Sequence, residues 1–332
     1  MRAIKFLIWT LLWIVALLCA FWATGALYFD FPFLNTAVAI AFVVLLLVAV
    51  ILLPGRVLKL SVVLGGFVAV LCWWLTLKPG NDRQWQPDVA ENGLAEINGD
   101  DVTIHNIRNC IYRTETDYTP RWETRTVHPS QITGMDIAIT NWGSPWMAHP
   151  IVSFRFADSL PLCFSIETRK TIDQEYSAVR GMYRQFTLIY IVADERDPIR
   201  LRTNYRKGEE VYLYRITTSA KEAQDRFREY IQTMNELSNR PRWYNAITTN
   251  CTTAIRTQRP TNQRAPWDWR ILLNGKGDEL LFERHLIADN GLPFAELKKR
   301  SHINERARTV DQDPEFSYRI RDGLPGFVGR NP

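Results

Sequence analysis

The chain has 332 residues, 46% of them hydrophobic and 23% charged, which excludes a disordered or low-complexity protein and leaves room for about two domains. Seventeen glycines and seventeen prolines follow no period, so a collagen-like fibre is excluded as well. The formal charge of +5 is a mild excess spread along the chain, unlike the basic stripe of a nucleic-acid-binding protein, and no nucleic-acid partner is expected.

The first 77 residues hold only five charges: Arg2, Lys5, Asp30, Arg56 and Lys59. Phe6–Phe29 is an uncharged run of 24 residues, Phe31–Gly55 one of 25 and Leu60–Leu77 one of 18. An apolar helix of about 20 residues crosses the hydrocarbon core of a bilayer, so three transmembrane helices are predicted near 6–28, 35–53 and 58–77. The first run is too long for a typical signal peptide and no small-residue cleavage site follows it. The third is the shortest and contains Gly65–Gly66, which leaves a re-entrant segment open. Arg2 and Lys5 precede the first run, and Arg56 and Lys59 lie in the turn between the second and third. Basic ends are retained in the cytoplasm, so the N-terminus is expected inside and residues 78–332 outside, in the periplasm of a bacterium if the anchor sits in its inner membrane.

Residues 78–99 are polar and read as a linker, and 100–332 as one α+β domain. Strand-length runs rich in β-branched and aromatic residues recur at Val102–Ile107, Ile151–Phe156, Leu162–Ile166, Phe186–Val192, Ile199–Thr203 and Val211–Ile216. Helical spacing is clearest over 220–238, where Ser219 and Glu222 form a capping-box pattern and Pro241 follows the end. A second helix is predicted to begin near Cys251 and stop before Pro260, and a short one to cover 267–273. Strands clustered before helices indicate α+β. Cys110, Cys163 and Cys251 are an odd number. A Cys110–Cys163 bridge would leave Cys251 free, and three reduced thiols are the plainer alternative.

Two residues carry the candidate chemistry. His149 ends the Gly/Pro/Trp-rich stretch 142–149 and opens the run Ile151–Phe156, where an imidazole is placed to face a cleft. A ring packed on tryptophan is the plainer reading. The runs on either side of Asp158 read as an antiparallel hairpin, and positions 149 and 167 lie nine residues to either side of it. Glu167 is therefore the expected cross-strand neighbour of His149, placed to orient the imidazole and stabilise its cation, unless it forms an ordinary surface pair with Arg169 or a lysine. Cys251 lies in the polar run Thr248-Thr249-Asn250-Cys251-Thr252-Thr253. Asn250 and its neighbours are capping types, so the thiol is expected in a first helical turn, with its pKa lowered and with N–H groups at hand for a tetrahedral oxyanion. A small buried helix cysteine is the alternative. Arg169, Lys170, Arg180, Arg200, Arg202 and Arg206 follow the site and suit lipid phosphates or a solvated face. No metal-binding or nucleotide-binding motif occurs, and no cofactor is expected.

Ala148-His149-Pro150-Ile151-Val152-Ser153-Phe154, Phe164-Ser165-Ile166-Glu167-Thr168-Arg169-Lys170, Trp243-Tyr244-Asn245 and Asn250-Cys251-Thr252-Thr253, in that order, resemble the Lnb N-terminal periplasmic domain family of bacterial envelope proteins. The order His, carboxylate, Cys is similar to permuted papain-like thiol enzymes of the NlpC and LRAT type, in which a helix bearing Cys packs on an antiparallel sheet bearing His. The resemblance implies acyl transfer from a phospholipid donor, with a lipoprotein N-terminus as one acceptor. Carried over, Cys251 is the nucleophile, His149 its base and Glu167 an orienting group. Trp142, Trp146, Trp243 and Trp267 are candidates for an acyl groove, and Arg169, Asn250 and Thr252 for contacts to the substrate. A Cys–His peptidase or amidase of the envelope and a non-catalytic assembly protein on the same fold remain open beside the acyltransferase. The sequence gives no oligomeric state.

Overall fold

A computed structural model describes residues 2–259 and 261–327. The last five residues of the expected domain lie outside that range. The chain forms two compact units: 1–80 with 175–187 and 243–246, and the remainder.

The first unit contains α1 (Arg2–Asp30), α2 (Asn35–Leu52) and α3 (Arg56–Thr76), three helices long and apolar enough to cross a membrane. The predicted spans stand, and α3 runs unbroken through Gly65–Gly66. Ala16, Ala23 and Ala26 are the fully buried residues of α1. Small side chains let helices approach closely where lipid supplies no hydrophobic contrast to drive them together. Segments 175–187 and 243–246 join this unit from far downstream. Tyr183 is buried in the cluster of Ala23, Ala26, Leu27 and Val70, and the Trp243 indole donates to the Leu77 carbonyl at 3.2 Å.

The second unit is built on a sheet. Its strands are β1 (Leu94–Asn98), β2 (Asp101–Arg108), β3 (Ile111–Tyr112), β4 (Tyr118–Thr119), β5 (Trp122–Val127), β6 (Ile132–Trp142), β7 (Ala148–Phe156), β8 (Leu162–Arg169), β9 (Thr187–Asp194) and β10 (Glu209–Arg215). The main sheet runs β1-β2-β9-β8-β7-β6-β10, with β5 beside β2, and β3 pairs with β4 separately. Most pairs are antiparallel, but β2 meets β9 in parallel, so the sheet is mixed where an antiparallel one was expected.

Alternation along the central strands sorts their two faces. Ile151, Cys163, Ile189 and Ile191 pack with Ile303, Ala307 and Phe316 of the C-terminal helices. Phe154 and Phe164, of opposite parity, pack with Phe227 and Tyr230 of α5 (Ala220–Asn239). That helix begins as predicted, with a reciprocal capping box between Ser219 and Glu222. α6 (Cys251–Thr257) lies on the α5 side, where Arg226 reaches the Ile255 carbonyl and Gln258 bonds the Tyr190 hydroxyl.

Three expectations are corrected. The predicted strand Ile199–Thr203 is helical: α4 (Pro198–Arg200) runs into a π-turn (Leu201–Tyr205), closed by Arg206 N–H donating to the Leu201 carbonyl at 2.9 Å. Pro198 at its first position favours a helical start over the β-branched residues that follow. The expected linker 78–99 is largely part of the domain, since it supplies β1 and buries Trp85 and Val89 in the core. The predicted helix 267–273 is only a 3₁₀ turn at Trp269–Ile271. Short helices α7 (Gly277–Glu283), α8 (Phe294–Arg300), α9 (Asn304–Thr309) and α10 (Phe316–Arg319) complete the chain.

Candidate thiol site

The hairpin register is the predicted one. Ile151 faces Ser165 and Phe154 faces Leu162, pairs centred on Asp158. Pro150 has no N–H for this ladder, and the pairs stop at Ile151. His149 and Glu167 thus lie two residues beyond the last pair, on one face of the sheet. They communicate through a residue the sequence reading missed. His149 Nε2 lies 2.7 Å from Ser165 Oγ, and Ser165 Oγ donates to Glu167 Oε1 at 2.7 Å. The signal was there: Ser165 is two residues from Glu167 on a strand and so shares its face.

The relay fixes a tautomer. Burial works against charge on Glu167, but the guanidiniums of Arg108 and Arg202, each 3.9 Å away, hold its carboxyl well below the usual range. The carboxylate only accepts, so the single Ser165 proton goes to it. Ser165 must then accept from His149, which puts the ring proton on Nε2 and leaves a lone pair on Nδ1. Burial, aided by Arg202, pushes the His149 pKa down to about 3, so the ring is neutral near pH 7. Arg202 reaches Glu167 from the π-turn that replaced the expected strand.

Cys251 opens α6 as predicted. The Asn250 side chain accepts from the N–H groups of Thr252 and Thr253, and the Asn250 N–H donates to Thr253 Oγ1 at 2.8 Å. Asn250 is therefore a helix cap, and it takes two of the N–H groups expected to face an oxyanion. The expected acidic thiol is corrected too: burial raises the Cys251 pKa despite the opposing contacts to Thr252. The thiol is protonated at neutral pH and needs a base. Its sulfur lies 3.7 Å from Thr252 Oγ1 and accepts from Asn274 Nδ2 at 3.5 Å.

Asn274 is the second residue the sequence reading missed as a site. Its Nδ2 also donates to Thr252 Oγ1 at 2.7 Å, and its Oδ1 accepts from the Ala148 N–H at 2.8 Å. One amide thus ties the start of α6 to the start of β7. The next residue explains the fit. A Cβ on Gly275 would strike the Pro145 carbonyl and lie 2.6 Å from Met147 N, so only glycine lets this turn approach the 143–148 loop.

The thiol and imidazole are not joined. Among the described residues no hydrogen bond connects Cys251 to His149. Alternation puts His149 on the Ile151 face, whereas α6 covers the Phe154 face. Asn274, bonded to the Cys251 sulfur and to the Ala148 N–H, links the two neighbourhoods.

The other candidates disperse. Arg169 is buried, with its donors on the Val89 and Ala90 carbonyls and Asn81 Oδ1, and stacks on Trp85 at 4.4 Å, so it packs the 81–90 segment and does not face a lipid phosphate. Trp142 ends β6 opposite Glu209, Trp146 lies 6.1 Å from Trp269, and the exposed Trp267 faces Arg256. Trp243 belongs to the membrane unit. All five cysteines are unbridged. Burial pushes the Cys110 thiol up to about 12 and also holds the Cys163 thiol well above its ordinary value, so both behave as core residues.

Residues 118–275 match the family model of the Lnb N-terminal periplasmic domain. The resemblance read from the sequence therefore stands. The Lnb match runs from β4 to the Asn274–Gly275 turn and takes in His149, Ser165, Glu167, Cys251 and Asn274, while α1–α3 lie outside it. Ahead of the segment that matches this periplasmic-domain model, three helices are long and apolar enough to cross a membrane. No curated protein and no solved structure shows a significant match.

Proposed function

We propose that this protein is a membrane-anchored thiol acyltransferase on a permuted papain-like fold, held in a bacterial inner membrane with its N-terminus in the cytoplasm. Cys251 takes an acyl chain from a phospholipid and passes it to an amine, for which a lipoprotein N-terminus is a suitable acceptor. The observation that carries this reading is the Asn274 amide, which bonds the Cys251 sulfur with one end and the residue before His149 with the other.

In this mechanism His149 Nδ1 accepts the thiol proton, directly or through one water. Glu167, through Ser165, orients the ring and favours the imidazolium. The thiolate attacks the ester carbonyl, and Asn274 Nδ2 is a donor for the resulting oxyanion. The tetrahedral intermediate expels a lysophospholipid, which takes the proton back from His149. An amine then attacks the thioester and releases Cys251. A thioester suits the transfer because its acyl group stays reactive towards amines.

That no hydrogen bond joins His149 to Cys251 among the described residues favours a second reading, a non-catalytic envelope protein on the same fold. Product analysis separates them. Full-length protein in phospholipid vesicles with a diacylglyceryl-cysteine peptide is expected to yield lysophospholipid and N-acylated peptide by mass spectrometry. Cys251→Ala and His149→Ala abolish both products under the first reading. A product yield equal to that of protein-free vesicles supports the second.

A further inference from the structure

We infer that residues 175–187 are a membrane-inserted segment whose partner is the headgroup–acyl boundary of a phospholipid bilayer. Their chemistry and packing belong to the helical unit. Tyr183 lies 6.2 Å from Trp22 and 4.9 Å from Phe29 by ring centroids. A Cβ on Gly25 would strike the Tyr183 hydroxyl, so Gly25 is the notch that admits this ring. Gly25 is five residues before the end of α1, about 8 Å down its axis. Asp30 fixes the level of the rest: its carboxylate accepts from Gln185 Nε2 at 2.7 Å and from the Arg184 N–H at 3.1 Å.

The bilayer extends to that level on independent grounds. The uncharged run Phe6–Phe29 would measure about 36 Å as a helix, more than the roughly 30 Å hydrocarbon core, so it enters the boundary layer. The α1–α2 turn, at the same end as Asp30, leaves Phe33 74% and Leu34 80% exposed. Those side chains suit acyl chains and not water. A segment docked between Gly25 and Asp30 then sits at membrane depth, where Tyr and Trp are favoured. Its leading part presents Tyr176 and Val179, about half exposed, with Arg180 able to meet a lipid phosphate. Irregular backbone at this depth requires internal bonds. Gly181 N–H donates to the Ser177 carbonyl at 2.8 Å and Met182 N–H to the Val179 carbonyl at 3.1 Å.

The test uses the full chain in phosphatidylethanolamine–phosphatidylglycerol nanodiscs, with a benzophenone amino acid in place of Val179 or, separately, Tyr176. Ile111 of β3, equally exposed, is the control position. Ultraviolet irradiation and intact-mass analysis are expected to show phospholipid adducts several-fold more often at 176 and 179 than at 111. Equal frequencies would overturn the inference. Gly25→Leu, which closes the notch, is expected to lower the adducts at 179 while α1 still inserts. Adducts that persist unchanged in that variant would also overturn it. The outcome is independent of thiol chemistry, since Cys251→Ala retains the adducts whether or not acyl transfer occurs.

Discussion

Two polar clusters sit at opposite ends of one face of β7, and they are built differently. At the Ser153 end, Arg321 bonds Asp136 at 2.9 Å and Glu195 at 2.6 Å, Ser153 also donates to Glu195, and Arg155 and Arg215 approach Asp136 at 3.3 and 3.0 Å. At the His149 end the ionic contacts to Glu167 are loose, at 3.9 Å, and a neutral ring keeps a lone pair on Nδ1. Opposite charges that close on each other leave nothing for a substrate. A carboxylate held at a distance from its arginines, and joined to a ring by a hydroxyl, keeps capacity for a proton. The first cluster should therefore govern stability, and the second should govern chemistry with a smaller structural penalty.

The largest effect should come from the closed cluster. Arg321→Met leaves Asp136 and Glu195 buried with less compensation and is expected to cost about 3–5 kcal/mol, read as a lower denaturation midpoint in detergent or nanodiscs. The same loss on disturbing the open cluster would erase the contrast.

pH probes the open cluster next. The His149 pKa is depressed from 6.5 to about 3, so below pH 6.5 the unfolded chain binds a proton that the folded chain refuses. Stability is then fully present above pH 6.5 and falls as the pH drops towards 3. His149→Asn should flatten the thermal-stability profile between pH 6.5 and 4.5. A parallel profile in that variant would show that the ring is not buried neutral.

Smaller effects sharpen the picture. Gly275→Ala forces the turn away from the Pro145 carbonyl, with an expected cost of about 1–3 kcal/mol and detachment of Asn274. Ser165→Ala cuts the relay between His149 and Glu167. It should cost about 1–2 kcal/mol and, if the protein transfers acyl chains, lower the rate on the order of 10²-fold. Cys251→Ala should change stability by about 1 kcal/mol or less while removing every thiol-dependent product.

Much of this was legible in the chain. Uncharged runs gave the three helices, Ser219 and Glu222 gave the start of α5, and Asp158 gave the hairpin register. Asn250 gave the helix start at Cys251. What failed to show were features set by tertiary burial. The long strand β6 hides because Gly134, Asp136 and Asn141 interrupt its apolar pattern, and Asp136 is tolerated there through Arg155, Arg215 and distant Arg321. The helical stretch from Pro198 through the π-turn runs against Ile199 and Thr203, the β-branched ends of the run read as a strand. The thiol pKa ran opposite to the local reading because burial outweighs the helix start. Asn274 had no local signal beyond a turn, since its role depends on where Gly275 lets the backbone approach.

Intact-mass analysis of the full-length protein after incubation with phospholipid vesicles tests the acyl-enzyme claim most directly. A single fatty-acyl adduct on Cys251, released by neutral hydroxylamine and missing from His149→Ala, is the expected result. An unmodified mass after prolonged incubation, or an equal adduct in His149→Ala, would contradict a Cys251–His149 nucleophile.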